Sequence, residues 1–303
     1  NITGSASGTE FSIYGTGAGA ISLQAASVFP DGGGAAPVGG GGGDGPEEQT
    51  LDWEQNYTIG DPSTTQIEAY SVIEVSGGGY ALAGSKWDMF VDFDRKMALF
   101  KALANGDLDW NSTFTNDEFN YAFATDVVEV VDGFVMVGYD GDDTGHTIMV
   151  KTDLLGNYLW NQTFYQAGMA ELQPAIEETG TGFMISTLEC NGPCGGLIIE
   201  TDGSGNHLEN ASFSYLGTQS SMFFDLTEHS DGGFLAAGQA HNGENNGWVV
   251  KLDSNGDHVW NASFDKEPGV NERFWGVTGE SDGGAVACGY ISHPGGDYEW
   301  VSS

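Results

Sequence analysis

A chain of 303 residues with 39% hydrophobic content can bury one large core or two modest ones. Its 48 Gly, 8 Trp, 11 Tyr and 17 Phe argue against disorder, which is aromatic-poor, and against long helices, which are Gly-poor. With 44 Asp and Glu against 8 Lys and Arg, a net charge of −36, the surface repels phosphate backbones and anionic headgroups, so nucleic-acid and polybasic membrane roles are excluded.

The chain begins at Asn1 without a Met or a charged-then-apolar leader, as expected of a processed chain or a fragment. Residues 9–15 and 20–29 alternate apolar and polar side chains as one or two strands do. The first 30 residues are too few to bury a core alone and must pack on something else. Donation of these strands to a neighbouring copy is the leading expectation, with Phe11, Ile13, Tyr14, Ile21, Leu23 and Phe29 as subunit contacts. Packing on the same chain and tethering to an anchor are the alternatives. Residues 31–49 follow as a Gly-rich linker, flexible by composition over 31–46. Extended, those 16 residues reach at most about 53–58 Å.

From residue 50 onward the chain repeats itself. Gly133-Phe-Val-Met-Val-Gly138 recurs as Gly79-Tyr-Ala-Leu-Ala-Gly84, Gly182-Phe-Met-Ile-Ser186, Gly233-Phe-Leu-Ala-Ala-Gly238 and Gly284-Ala-Val-Ala-Cys-Gly289. Turns such as Ser230-Asp-Gly-Gly233 precede most copies and read as hairpins. A third strand follows, as in Ile148–Asp153 and Trp248–Asp253, and then a second turn. The unit closes with Leu108-Asp-Trp-Asn-Ser-Thr-Phe114, Leu159-Trp-Asn-Gln-Thr-Phe164 or Val259-Trp-Asn-Ala-Ser-Phe264. Four short strands in about 50 residues predict a propeller blade, which covers its faces only by stacking on neighbours. Five sets of first-to-third strands are present. Leu51–Thr58, similar to Leu108–Phe114, is expected to supply the last fourth strand. The predicted fold is therefore all-β: a five-bladed β-propeller over 50–303, closed by an N-terminal strand and preceded by a Gly-rich extended tail.

The phrase Lys251-Leu-Asp-Ser-Asn-Gly-Asp-His-Val-Trp260 resembles the tryptophan-docking repeat of quinoprotein-like propellers. Still closer are the propeller repeats of secreted archaeal and bacterial surface proteins. The resemblance implies the fold and carries little about activity. No cofactor-binding constellation of quinoprotein dehydrogenases can be matched, so no cofactor is expected.

The acceptor pattern Asn-x-Ser/Thr occurs at Asn1, Asn56, Asn111, Asn161, Asn210 and Asn261. Four of these share one place in four fourth strands, and Asn56 lies two residues further along, on the same strand face. Aromatics at alternate positions would then enter the core while the asparagines face away from it. N-linked glycans are the expected partners, and they place the chain outside the cell or on its surface. Cys190 and Cys194 are spaced to close a small loop disulfide, and Cys288, in an apolar run, reads as a buried inert thiol. The six His form no cluster with zinc-ligand spacing, so no metal site is assigned.

Acidic loops are the remaining chemistry. Asp88, Asp92 and Asp94, and Asp140, Asp142 and Asp143, offer carboxylates that glycoside hydrolysis or Ca²⁺ or another cation would use, but so acidic a chain makes such clusters by chance. Asp253-Ser-Asn-Gly-Asp257 reads as a hairpin turn before half a calcium loop. Gly279-Glu-Ser-Asp-Gly283 has the letters of a nucleophile motif without the helix that must follow it, and it too reads as a turn. The sequence therefore predicts no enzyme and no catalytic residue. The functional expectation is a structural subunit of an extracellular glycosylated filament or surface assembly, polymerising with copies of itself through its tail. An adhesin or lectin-like ligand-binding propeller is the alternative.

Overall fold

The computed structural model describes residues 3–7, 10–15, 53–58, 65–88, 95–114, 121–140, 145–164, 173–190, 194–215, 220–241, 243–266, 268–280, 283–293 and 298–302. These residues form an all-β structure without an α-helix. At the N-terminus β1 (Thr3–Ser7), β2 (Glu10–Gly15) and β3 (Trp53–Thr58) make one antiparallel sheet. Five further antiparallel sheets follow in chain order. The first holds β4 (Thr65–Glu74), β5 (Tyr80–Asp88), β6 (Arg95–Ala102) and β7 (Leu108–Phe114). The second holds β8 (Ala122–Val130), β9 (Gly133–Asp140), β10 (His146–Asp153) and β11 (Tyr158–Phe164). The third holds β12 (Ala175–Glu178), β13 (Gly182–Cys190), β14 (Cys194–Asp202) and β15 (His207–Phe213). The fourth holds β16 (Ser221–Glu228), β17 (Phe234–His241), β18 (Asn245–Leu252) and β19 (His258–Phe264). The fifth has three strands among the described residues, β20 (Asn271–Gly279), β21 (Ala285–Ser292) and β22 (Tyr298–Ser302).

The sheets stack in series, each first strand lying against strands of the preceding sheet. That stacking explains the strand sequences. Middle strands are covered on both faces and read as continuous apolar runs, such as Phe134–Val137 and Ile148–Val150, all at most 1% exposed. Fourth strands have one free edge and alternate instead. Along β7, Trp110, Ser112 and Phe114 are more buried than Asp109, Asn111 and Thr113. Separate apolar layers fill the spaces between successive sheets, for example Met97, Leu99, Phe134 and Met136 between the first and second. A further layer, Ile67, Leu82, Ala98 and Phe100, lies on the other face of the first sheet.

The turn between third and fourth strands is the same device in three sheets. Asp153 Oδ1 accepts from the N–H groups of Leu155 and Asn157, and Asp202 and Asp253 do the same two and four residues on. The glycine closing each turn has positive φ, 77° at Gly156, Gly205 and Gly256. Into this turn docks the tryptophan of the preceding sheet. A Cβ on Gly156 would meet the Trp110 ring at 2.5 Å, and one on Gly205 the Trp160 ring at 2.7 Å. Asp253–Asp257 is thus a hairpin turn, as its sequence indicated. Gly279–Gly283 also falls at a strand-to-strand turn, where Glu280 N–H donates to Gly284 O.

Closure by the N-terminal strand is overturned. Trp53–Thr58 does not pair with the last sheet; β3 pairs antiparallel with β2 over six residues, from Glu10↔Thr58 to Gly15↔Trp53. The physical reason is proximity along the chain. The hairpin β1–β2 presents an unpaired edge much closer in sequence than β22 does, and loop-closure entropy favours the nearer partner. Strand β2 contains Phe11, Ile13 and Tyr14, so the described part of the tail is paired within its own chain. Ile21, Leu23, Phe29 and the linker 31–49 lie outside the described residues. Cys288 is half-buried, not buried as its apolar run suggested, because β21 alternates between covered and open faces.

Candidate functional site

The first strands β4, β8, β12, β16 and β20 run beside one another in turn, and a line of carboxyl groups ties them together. In four of the strands the ladder skips one residue, Tyr70, Thr125, Phe224 and Trp275, as a bulge. The residue after the bulge faces the next sheet. In the second and fourth sheets it is an aspartate. Asp126 accepts from Ser71 Oγ at 2.7 Å and Val127 N–H at 2.8 Å through one oxygen, and from Ile176 N–H of β12 at 2.9 Å through the other. Asp225 accepts from Val277 N–H of β20 at 2.7 Å. Glu177 of β12 accepts from Glu228 N–H of β16 at 3.3 Å.

Burial dominates the titration of all three groups. It raises Asp126 against the opposing pull of its backbone and Ser71 donors. It pushes Glu177 up to about 7, helped by the neighbouring charge of Asp126. It pushes Asp225 up to about 8, with Asp126 and Glu177 adding to the rise. Three carboxyl groups that feel one another, all raised by burial, can divide proton-donor and proton-acceptor roles. Their donors also show a second task, because each carboxylate holds a backbone N–H on the first strand of the next sheet.

Beside this line sit the two arginines of the chain, each among aromatic rings. Arg95 lies 4.5 Å from the Phe123 ring, 4.9 Å from Trp87 and 5.9 Å from Tyr70, pairs with Glu68, and donates to Ser85 Oγ at 2.9 Å. Arg273 lies 5.8–6.0 Å from the rings of Phe224, Trp275 and Tyr290. Three of these rings belong to bulged residues, Tyr70, Phe224 and Trp275.

The outer edge carries the acceptor asparagines in one register. Asn111, Asn161, Asn210 and Asn261 stand opposite Phe100, Val150, Ile199 and Val250, the same place in four ladders. Asn111, Asn210 and Asn261 are exposed and Asn161 is half-buried. Asn56 is opposite Ser12 in the N-terminal sheet, and Asn1 lies outside the described residues. Cys190 and Cys194 are joined in a disulfide between the paired ends of β13 and β14.

The acidic loops are not brought into view. Asp92, Asp94, Asp142 and Asp143 lie outside the described residues, Asp88 ends β5, and Asp140 is buried at the end of β9. Among the described residues no group of three or more His, Cys, Asp or Glu is arranged to hold a metal ion. No described helix is long and apolar enough to cross a membrane. The carboxyl line is not evident in the sequence, because its members sit singly within strands and not in the acidic loops. The signal that would find it is Asp126-Val-Val-Glu129 against Asp225-Leu-Thr-Glu228, the same place in two repeats.

No family profile and no curated protein matches the sequence. Among solved structures, the chain resembles a protein of unknown function from Dyadobacter fermentans, at 13% identity and a TM-score of 0.37, over 78% of this chain and 94% of that one. It also resembles a GH43 β-1,3-galactosidase solved with galactodeoxynojirimycin, at 10% identity and a TM-score of 0.41, over 87% of this chain and 92% of that one. The expectation that the chain is no enzyme is corrected on this finding. A glycoside hydrolase stands among the structures it resembles, so the exclusion is withdrawn, while a likeness this distant assigns no activity.

Proposed function

We propose that the chain is a structural subunit of an extracellular, glycosylated surface assembly, its five stacked sheets forming the blades of a propeller and its N-terminal hairpin joining one copy to the next. The observation that carries this reading is the six-residue pairing of β2 on β3. The same edge-to-edge contact can form within one chain or between two, as in strand exchange. Between the two strands lie 37 residues, 16–52. Two segments joined by a connection of finite length meet at a limited effective concentration, in the millimolar range for short flexible joins. Exchange between copies therefore takes over where subunits are crowded, as on an envelope. The in-register acceptor asparagines on the outer strands support an exported, sugar-bearing rim. The charge of −36 makes close stacking depend on salt.

The test is light scattering and negative-stain microscopy of the full chain across a concentration and salt series, with and without a free peptide of residues 1–15. Growth with concentration and salt, abolished by the peptide or by deleting residues 1–15, is the expected result. Equal assembly without residues 1–15, or a monomer under all conditions, refutes the reading.

A second reading, saccharide binding or cleavage at the inner strands, is favoured by the raised carboxyl groups of Asp126, Glu177 and Asp225, which lie along adjoining first strands. Release of reducing sugar from a panel of polysaccharides, lost in Glu177→Gln and Asp225→Asn, would establish cleavage. No release and no binding by the unmodified chain would remove this reading.

A further inference from the structure

We infer that the bulged apolar residue two places before Asn161, Asn210 and Asn261 is the seat on which the first sugar of each attached glycan packs. The inference rests on the glycosylated rim proposed above and adds what the chain does with the sugar. In each fourth strand the ladder skips one residue near its start. Lys151 faces Trp160 and Thr152 faces Tyr158, leaving out Leu159; in the third sheet Leu208 is left out, and in the fourth Val259. These three side chains are large, apolar and open to solvent, Leu159 at 48%, Leu208 at 56% and Val259 at 54% exposure. Outward apolar side chains repeated at one ladder position cost solubility unless something covers them.

The occupant is indicated by the neighbour. Residues two apart share a strand face about 6.5–7 Å from one another, roughly the width of one pyranose ring. A sugar joined to the asparagine can therefore lay its C–H face on the apolar side chain. Side chains three places before two of the asparagines also steady the amide. Tyr158 Oη donates to Asn161 Oδ1 at 2.6 Å, and His258 Nε2 lies 2.9 Å from Asn261 Nδ2. The Tyr158 contact leaves Nδ2 of Asn161 free for the new bond, and His258 can accept the one hydrogen that Nδ2 of Asn261 retains. In the transfer, Nδ2 bonds the anomeric carbon of a sugar carried on a lipid-linked phosphate donor. The phosphate leaves with the bonding pair, and Nδ2 gives up one proton.

The first sheet supplies its own control. There the skipped residue is Asp109, so Asn111 has a polar, charged neighbour where the others have Leu or Val. A sugar on Asn111 has no apolar seat.

The experiment uses the full chain from an N-glycosylating host, with occupancy at each asparagine read by peptide mass spectrometry. Thermal melts then compare each Asn→Gln change in two backgrounds, and the same variants from a non-glycosylating host set the zero. Removing the sugar at Asn161 should lower Tm by roughly 1–3 °C, and by less than half that in Leu159→Ser. Removing it at Asn111 should change Tm little, and Asp109→Leu should create the coupling there. Equal effects at Asn111 and Asn161, or an Asn161 effect indifferent to Leu159→Ser, overturn the inference while leaving the glycosylated rim intact. No sugar on any of the four asparagines overturns both.

Discussion

Replacing Gly205 by Ala isolates the docking of one sheet on the next. Gly205 has φ +77°, and a Cβ there would stand 2.7 Å from two carbons of the Trp160 ring and 3.0 Å from Gln162 Cγ. Gly232 has nearly the same backbone, φ +83°, with nothing within 4 Å of its added carbon. The left-handed conformation costs a non-glycine residue about 1 kcal/mol at either place. Only Gly205→Ala must also displace an indole wedged between sheets, which adds about 1–3 kcal/mol of overpacking. The expected losses are therefore about 1 kcal/mol for Gly232→Ala and about 2–4 kcal/mol for Gly205→Ala. Gly256→Ala falls between them, since its close contact, 2.7 Å to Glu200 Oε1, is the end of a side chain that can swing away. Equilibrium urea unfolding followed by tryptophan fluorescence measures all three. Gly205→Ala costing no more than Gly232→Ala would show that the tryptophan is not what locks adjacent sheets.

Three further outcomes are expected. Asp126→Ala strands the donors of Ser71, Val127 and Ile176 and should cost about 2–4 kcal/mol in urea unfolding, with Asp126→Asn recovering part of it. Glu177 and Asp225, pushed up to about 7 and about 8, hold protons in the folded chain that the unfolded chain has released above pH 4–5. The stability they contribute is therefore complete below about pH 4 and lost as pH rises toward 8. Melts between pH 5 and 8 should show that fall, and most of it should be absent in Glu177→Gln/Asp225→Asn; an unchanged slope would refute it. Reducing Cys190–Cys194 opens a loop so short that chain entropy predicts a loss of only about 2 kcal/mol, checked by melts of Cys190→Ser/Cys194→Ser.

Strand content and order were legible because this chain repeats its physics as well as its letters. Gly at the turns, apolar runs in the middle strands and Trp-Asn-x-Ser/Thr in the outer ones each follow from how covered that strand is. Even the tryptophan had a visible reason, since Trp110 and Trp160 dock on glycines that the repeat places one sheet further on. The carboxyl line was harder to read. Asp126 and Asp225 look like ordinary polar residues of half-buried strands, and only pairing reveals that each follows a bulge and accepts an N–H from the first strand of the next sheet. Glu177 sits two places beyond the position of those aspartates, so aligning the repeats does not group it with them. Bulge positions depend on the partner strand, which periodicity along one strand does not encode.

Strand β3 is where local and repeat-level preferences collide, and the collision bears on function. Its letters are those of an outer blade strand, yet it pairs with β2. Ser12 and Asn56 are 44 residues apart in sequence, whereas Trp300 of β22 is 244 from Asn56, a difference in loop-closure entropy of only ~1.5 kcal/mol. A margin that small is about one or two backbone hydrogen bonds. Under the proposed function, that margin would keep β2 on β3 in a dilute chain and let it yield when another copy offers its own hairpin or an equivalent edge at high local concentration. A strand so placed would then resist exchange when subunits are scarce and permit it when they are packed together, which is the behaviour the proposed assembly requires of the segment that joins its parts.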